Sequence, residues 1–175
     1  MKQNLFLAPA TKPGRAYSHL QKSVIEGIKP HDAEFFPKDI ENTVRVWGIN
    51  SGLERPWKPA ESGDWILFYT GDNEYGYAVQ IESKEENPRL GSKIRSMYLD
   101  VSDKEEKEGK EWHFLFYLKD PLRIELSAVK LSEWLNYERA YRSRFQRVSE
   151  ERLQAIEMRF DTLEEMVEEF IVNNN

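Results

Sequence analysis

The sequence predicts an α+β fold in which a mostly antiparallel sheet of about six strands curls into a barrel with flanking helices. Between residues 43 and 126, short segments rich in β-branched and aromatic residues alternate with turn residues. On either side of that region, apolar residues recur at helical spacing instead. At 175 residues, the chain fits a single domain spanning residues 1–175.

The N-terminal region predicts one strand followed by one helix. The segment "NLFLAPA" at residues 4–10 is a short apolar strand that a proline ends. After it, Leu20, Val24 and Ile28 recur every four residues, as on one face of a helix. Ser18 is the expected N-cap of this helix, and Gly27 is expected to end it.

The central region predicts the barrel strands. Their segments are "TVRVWGI", "DWILFYT", "YGYAVQIES", "IRSMYLDV", "WHFLFYLKD" and "LRIEL". The turn "TGDNEYG" joins the second and third of them as a hairpin. In the first segment, alternation places Val44 and Val46 on one face and Trp47 on the other. If the valines point into the barrel core, Trp47 points away from it.

The C-terminal region predicts helices that pack on the barrel. Ser149 precedes two glutamates, a pattern typical of a helix N-terminus, and Asp161 or Thr162 can open a further helix. Trp134, in "LSEWLNYERAY", is expected to pack between helices. The charged segment "SDKEEKEGKE" at residues 102–111 is expected to form an exposed loop.

Composition excludes several classes of protein. The chain has no cysteine, which excludes disulfides and thiolate chemistry and favours a cytoplasmic location. No apolar run is long enough for a membrane span. The three histidines do not share a metal-ligand spacing, and no phosphate-binding loop or nucleophile motif occurs. We therefore predict no catalytic residues, no metal and no cofactor.

The charge is unevenly distributed, although the net charge of −6 argues against nucleic-acid binding. Basic residues cluster in residues 12–29, where the single acid is Glu26, and in "PRLGSKIR" and "RAYRSRFQR", which contain no acid. The other acids gather in "DKEEKEGKE" and in the last helix. One interpretation is a basic face that contacts a nucleic-acid backbone, and the other is ordinary solvated surface. The candidate backbone contacts are Lys12, Arg15, Lys58, Arg89, Lys93 and Arg95.

Two tryptophans are candidate binding residues. Trp47 stands at the end of a predicted strand beside Gly48, where the backbone can approach a ligand closely. Trp57 lies in the proline-flanked "RPWKP", whose stiffness could hold a ring over a pocket, or whose ring could cover the core. Trp65 and Trp112 lie in apolar strands and are expected to pack in the core.

The segment "VRVWGINSGLERPWKPAESGDWILFYTGDNEYGYAVQIESK" resembles the middle of the YTH and EVE domains of the PUA-like superfamily. The later "WHFLFYLKDPLRI" and "FQRVSEERLQAIEM" are similar to the closing strand and helices of EVE domains. The resemblance implies a PUA-like barrel that holds a modified base in an aromatic cage. Trp47 matches the cage tryptophan that ends a strand. The second cage tryptophan of YTH domains is missing, so either Tyr98 or Trp57 must form that wall, or the pocket is built differently.

Domains of this kind also form the amino-terminal specificity module of the GTPase subunit in McrBC-type, methyl-directed restriction systems. The resemblance therefore implies a module, cut from a longer chain, that flips a methylated base out of double-stranded DNA, with N6-methyladenine as the expected type. Its expected partners are the DNA and a fused GTPase motor, which would oligomerise and recruit a nuclease subunit. The alternatives are an EVE-type reader of modified RNA, a small ASCH-like enzyme acting on RNA or nucleosides, and a protein-interaction domain with an acidic docking helix.

Overall fold

A computed structural model describes residues 2–36, 40–98, 111–141 and 143–173, with Tyr98 described by its backbone alone. Within these residues, seven strands form one sheet. They are β1 (Leu5–Pro9), β2 (Arg45–Ile49), β3 (Trp65–Gly71), β4 (Glu74–Glu86), β5 (Phe114–Leu118), β6 (Leu122–Ser127) and β7 (Gln146–Arg147). The short β7 was not predicted from the sequence.

The sheet has the strand order β2-β5-β4-β3-β1-β7, with β6 paired to β4. Every pairing is antiparallel except that of β1 with β3. The first half of β4 pairs with β3 and β6, and from Ile81 onward it pairs with β5. A register shift between Ile81 and Ser83 marks this change and bends the sheet. The predicted hairpin between β3 and β4 is confirmed, with Asp72 and Asn73 in the left-handed conformation that such turns require.

Helices flank the sheet. They are α1 (Arg15–His19), which continues as a π-helix over Leu20–Glu26, α2 (Glu54–Trp57), α3 (Pro88–Tyr98), α4 (Ala128–Leu135), α5 (Glu150–Phe160) and α6 (Leu163–Glu169). Short 3₁₀ turns cover Pro30–Asp32 and Ser51–Leu53. In the described parts of the chain, no helix has the length and apolarity that a bilayer span requires.

The predicted helix ends are only partly correct. Ser149 and Thr162 are N-caps whose side chains accept hydrogen bonds from backbone N–H groups, as predicted. The prediction for Ser18 was wrong, because the first helix begins after Gly14 and Ser18 lies inside it. Ile28 lies beyond the helix and forms a bridge with Val44 instead. Gly27 ends the helix with a φ of 76°, as expected.

The strand predicted over residues 94–101 was wrong. Residues 94–98 belong to α3, and residues 99–101 lie outside the described part of the chain. Asn87 caps this helix by accepting a hydrogen bond from the Leu90 N–H at 3.0 Å, and Pro88 occupies its first position. Leu90 and Ile94 are buried one turn apart, so burial of a helical face outweighs the local β propensity. The loop predicted over residues 102–111 lies, up to residue 110, outside the described residues.

The core shows that the sheet is curled. One apolar cluster, here called the inner cluster, takes Phe6 from β1, Trp47 from β2, Phe68 from β3, Val79 from β4 and Phe116 from β5. Strands β1 and β2 are far apart in the strand order, so they share a cluster only because the sheet curves round on itself. Among the described residues, no hydrogen-bonded pairing joins β2 to β1 or β7, so closure of a barrel is not seen.

The outer face of the sheet is also covered. Helices α4, α5 and α6 pack over β1, β3, β4 and β6, and Trp134 packs there against Phe160 and Phe170 as predicted. Trp65 is buried in the same cluster, which confirms its core position. Helix α3 covers the outer face of β2 and β5. Both faces of β2 are therefore buried.

Candidate functional site

A cleft of about 350 Å³ opens beside β2, between the start of α1, helix α3 and residues 143–145. Its chemistry is aromatic and basic. Of the described residues that line it, none is a carboxylate, and those with rings or positive charges are Arg15, His19, Trp47, Arg95, Trp112, Arg144 and Phe145. The cleft therefore combines stacking surfaces with a positive potential.

Trp47 lies in the wall of this cleft, and the condition under which it would point away from the core is not met. The alternation is as expected, because Val44 and Val46 share one face of β2 and Trp47 lies on the other. However, the valines pack beneath α3 and Trp47 belongs to the inner cluster, with only 6% of its surface exposed. Its ring packs edge to face on Phe68 at 4.9 Å. Trp47 is thus both a core residue and a cleft residue.

Gly48 lies against a protein ring. A Cβ on Gly48 would fall 2.0–2.3 Å from three carbon atoms of the Trp112 indole, far inside van der Waals contact. The close approach expected at this glycine is therefore present, but its partner in the free protein is Trp112. Trp112 itself lies just before β5 and forms a second aromatic wall, 6.1 Å from Trp47 between ring centroids.

Hydrogen bonds fix the segment that carries Trp112. The His113 N–H donates to the carbonyl of Ile49 at 2.9 Å, and the His113 carbonyl accepts from the Asn87 N–H at 3.0 Å. The segment is therefore held between the end of β2 and the beginning of α3. Sequence reasoning assigned Trp112 to core packing alone and missed its place in the cleft.

His19 lies deep in the cleft with 6% of its surface exposed. Its ring meets Trp112 edge to face at 4.5 Å and an interplanar angle of 88°. Its Nε2 is buried and has no hydrogen-bond partner within the described part of the chain. Burial, together with the nearby charges of Arg95, Lys22 and Arg15, lowers the pKa of His19 from 6.5 to about 4. The imidazole is therefore neutral at pH 7.

The helix that carries His19 is anchored to β2. Arg45 donates through Nη1 to the carbonyls of Val24 and Ile25, at 2.5 and 2.6 Å. Leu20 and Val24 are fully buried in the inner cluster. The helix therefore sits at a fixed distance from Trp47. The π-helical stretch begins directly after His19, and such stretches occur frequently at functional sites.

The predicted basic cluster of α3 divides into two parts. Arg95 is buried, with 7% of its surface exposed, and lines the cleft. It lies one turn beyond Gly91, where a Cβ would fall 2.0 Å from the carbonyl oxygen of Trp112. Arg89 and Lys93 are exposed and do not line the cleft. A side chain that contacts only phosphate must be exposed at the surface, and of the three basic residues only Arg89 and Lys93 are.

The other candidate backbone contacts are also separated. Arg15 is exposed at the start of α1 and lines the cleft. Lys12 lies outside it, with Nζ 5.0 Å from the ring centroid of Tyr17. Arg144, from the third basic cluster, lines the cleft although it was not among the predicted contacts.

Trp57 and Lys58 lie outside the residues that line the cleft. Trp57 ends α2 rather than lying in a loop, and it packs on Phe114 with a centroid distance of 4.5 Å. The Lys84 Nζ lies over the Trp57 ring, 4.2 Å from its centroid, and donates to the carbonyls of Trp57 and Lys58. Trp57 therefore packs on a strand residue and covers part of the inner cluster, the second of the two interpretations that the sequence allowed. Its role in base binding stays a prediction.

Tyr98, the other candidate for the second wall, is the last residue of α3. It follows Arg95 by three residues, but its side chain is outside the described part of the chain. Its role therefore stays a prediction. In the described residues, Trp112 is the indole that accompanies Trp47 in the cleft, which the rings of His19 and Phe145 also line.

Further hollows lie on the surface, and two of them contain basic residues discussed above. One, of about 560 Å³, adjoins the cleft through Ser143 and Arg144, and Arg139 also lines it. The other, of about 430 Å³, contains Lys84 and Glu85. Both of these residues are already engaged, because the Tyr117 hydroxyl donates to Glu85 and Lys84 binds backbone carbonyls. No group of three or more potential metal ligands occurs within the described residues.

No protein-family model matches the sequence, and no curated protein matches it. Among solved structures, the N-terminal domain of Thermococcus gammatolerans McrB bound to m5C DNA is similar over 91% of this chain and 98% of its own, with a TM-score of 0.68 and 17% identity. The ASCH protein from Zymomonas mobilis is similar over 87% of this chain and 92% of its own, with a TM-score of 0.47 and 11% identity. The similarity to the first of these structures shows that the chain has the fold of the McrB N-terminal domain. The predicted α+β class is confirmed, whereas closure of the predicted barrel is not seen among the described residues.

Proposed function

We propose that this chain is a DNA-binding domain that recognises a modified base by holding it, flipped out of the duplex, in the cleft between Trp47 and Trp112. The observation that carries the proposal is the juxtaposition of two indoles with Arg15, Arg95 and Arg144 around one cleft. The similarity in fold to a McrB domain bound to m5C DNA supports it.

The energetics of flipping agree with such a cleft. Removing a base from the stack costs a few kcal/mol, and a modification that weakens pairing lowers that cost. Stacking on an aromatic wall returns about 1–3 kcal/mol per base. Trp47 and Trp112 line the cleft although only 6% of each surface is exposed, so the cleft must widen as a base enters.

The charge of the cleft favours a neutral base. Aromatic cages often bind cations, but here the described lining contains three arginines and no carboxylate. A base that carries a positive charge would meet like charges in a partly desolvated site. Neutral methylated bases such as N6-methyladenine and 5-methylcytosine fit this potential, whereas 7-methylguanine, which is cationic, does not.

The further expectations from the sequence belong to the same proposal. We propose that residues 1–175 form the specificity module of a methyl-directed restriction system, acting in the cytoplasm. In the longer chain the module is fused to a GTPase motor that oligomerises and recruits a nuclease. The McrB domain of similar fold binds m5C DNA, so 5-methylcytosine joins the expected N6-methyladenine as a candidate base.

A binding panel tests the proposal. Short duplexes that carry one N6-methyladenine, one 5-methylcytosine, one 7-methylguanine or no modification are titrated by fluorescence anisotropy, with RNA of the same sequence as a further arm. We expect one neutral methylated duplex to bind at least about fourfold more tightly than the unmodified one, because burial of one methyl group contributes about 0.8 kcal/mol. Equal affinity for all duplexes, or a preference for RNA, would contradict the proposal.

Variants locate the preference within the molecule. Trp47→Phe should reduce the ratio of the affinity for the methylated duplex to that for the unmodified duplex, since it shrinks one wall of the cleft. Trp65→Phe is the matched control, because Trp65 is equally buried but lies in the cluster on the opposite face of the sheet. A loss of discrimination in both variants would indicate a general loss of structure rather than a site at Trp47.

A further inference from the structure

His19 is a buried polar side chain whose Nε2 makes no hydrogen bond within the described residues. Its surface is 6% exposed, and its ring lines the same cleft as both indoles. Leaving a buried polar atom without a partner destabilises the fold. Such an atom is tolerated where a ligand completes its hydrogen bonding.

The surroundings of His19 hold its ring in a fixed position. The edge-to-face contact with Trp112 fixes the plane of the ring. The His19 carbonyl accepts a hydrogen bond from the Ser23 hydroxyl at 2.8 Å, which braces the backbone at the start of the π-helix. The ring is neutral, so Nε2 donates or accepts according to the tautomer. A neutral imidazole therefore suits the polar edge of an uncharged base.

We propose that His19 is a specificity-determining residue whose Nε2 forms a hydrogen bond with the edge of the base held in the cleft. This inference rests on the proposed function, since it requires a flipped base in the cleft. It assigns distinct tasks to the two parts of the site. The indoles of Trp47 and Trp112 bind the faces of the ring, and His19 reads its edge.

Two substitutions isolate the hydrogen bond. His19→Phe keeps an aromatic ring against Trp112 but removes the nitrogen. His19→Gln removes the ring but returns an amide nitrogen at nearly the same distance from Cα as Nε2. Thermal unfolding monitored by circular dichroism checks that each variant is folded. If His19→Phe does not fold, the smaller His19→Leu serves in its place.

The test compares the methylated duplex that binds most tightly with a duplex of the same sequence that has an abasic site at that position. His19→Phe should weaken binding to the methylated duplex by about tenfold, the effect of one buried hydrogen bond. It should leave binding to the abasic duplex unchanged, because no base edge is present there. His19→Gln should restore most of the lost affinity.

The outcomes separate the inference from the function on which it rests. If His19→Phe weakens both duplexes equally, or neither, His19 does not read the base and the inference fails while the proposed function stands. If the wild-type protein binds the methylated and abasic duplexes equally, no base is held in the cleft. The proposed function and the inference then fail together.

Discussion

Replacement of Gly48 by alanine tests whether Trp112 is packed as the structure has it. The added Cβ would lie 2.0–2.3 Å from the indole carbons Cδ2, Cε3 and Cγ. Carbon atoms in contact are about 3.5–4.0 Å apart, so the ring must move by roughly 1.5 Å. Overpacking of this kind costs about 1–3 kcal/mol, which we expect as the loss in the free energy of unfolding. DNA affinity should also fall, because one wall of the cleft is displaced.

Urea unfolding measured by circular dichroism gives the stability, and two comparisons show its cause. Gly52→Ala is the matched control, because its Cβ would meet only the Asn50 side-chain oxygen, at 3.2 Å, on an exposed turn. In a Trp112→Leu background, the cost of Gly48→Ala should largely disappear, since the clashing ring is gone. If Gly48→Ala is as stable as Gly52→Ala and loses only DNA binding, then Gly48 faces a ligand rather than Trp112, and the packing described here is wrong.

Three further predictions concern the cleft and its rim. Trp47→Ala should cost about 3–5 kcal/mol of unfolding free energy in urea titrations, because the ring is part of the core; a cost under about 1 kcal/mol would show that Trp47 is not packed there. Replacing Arg89 and Lys93 together by glutamine should flatten the slope of log K against log salt by up to about 2 units. The ratio of the affinity for the methylated duplex to that for the unmodified duplex should stay the same, and a changed ratio would contradict a role limited to phosphate contacts. The pKa of His19 is about 4 in the folded protein and 6.5 in the unfolded chain. As the pH falls below 6.5, the unfolded chain binds the proton first. The free energy of unfolding should therefore fall between pH 6.5 and pH 4, by up to about 3 kcal/mol. Urea titrations at several pH values should show this loss in the wild type but not in His19→Phe, and parallel curves would contradict it.

Much of the sheet could be predicted because its signals are local. The alternation in β2 and the turn between β3 and β4 each depend on a few adjacent residues, and both were found. The strand predicted at residues 94–101 failed for a different reason. The strand was predicted from its β-branched and aromatic residues alone. The stronger helix signal lies upstream, where Asn87 and Pro88 form a helix N-terminus and Leu90 and Ile94 recur one turn apart.

The orientation of Trp47 shows what alternation leaves undetermined. The pattern separates Val46 from Trp47 but does not say which face is the interior of the curl. Both faces of β2 are buried, because α3 covers the outer one. That choice depends on where α3 packs, and residues 94–98 of α3 were predicted as part of a strand.

The cleft itself combines residues that are distant in sequence. Arg15 and His19 are four positions apart on one helix. This spacing indicates a shared helical face, but the helix was predicted to begin at Ser18 rather than after Gly14. No such signal exists for Trp112. Its position over Gly48 depends on the pairing of β2 with β5 and on the hydrogen bond from His113 to Ile49.

The central claim is that a modified base binds between Trp47 and Trp112, and the five indole N–H signals of the chain test it directly. In a ¹⁵N-labelled sample, each signal is assigned by a tryptophan-to-phenylalanine variant, and the methylated duplex is then added alongside its unmodified counterpart. We predict that the signals of Trp47 and Trp112 shift with the methylated duplex far more than with the unmodified one, while those of Trp65 and Trp134 stay in place. Shifts confined to Trp57, or identical shifts with both duplexes, would contradict the claim.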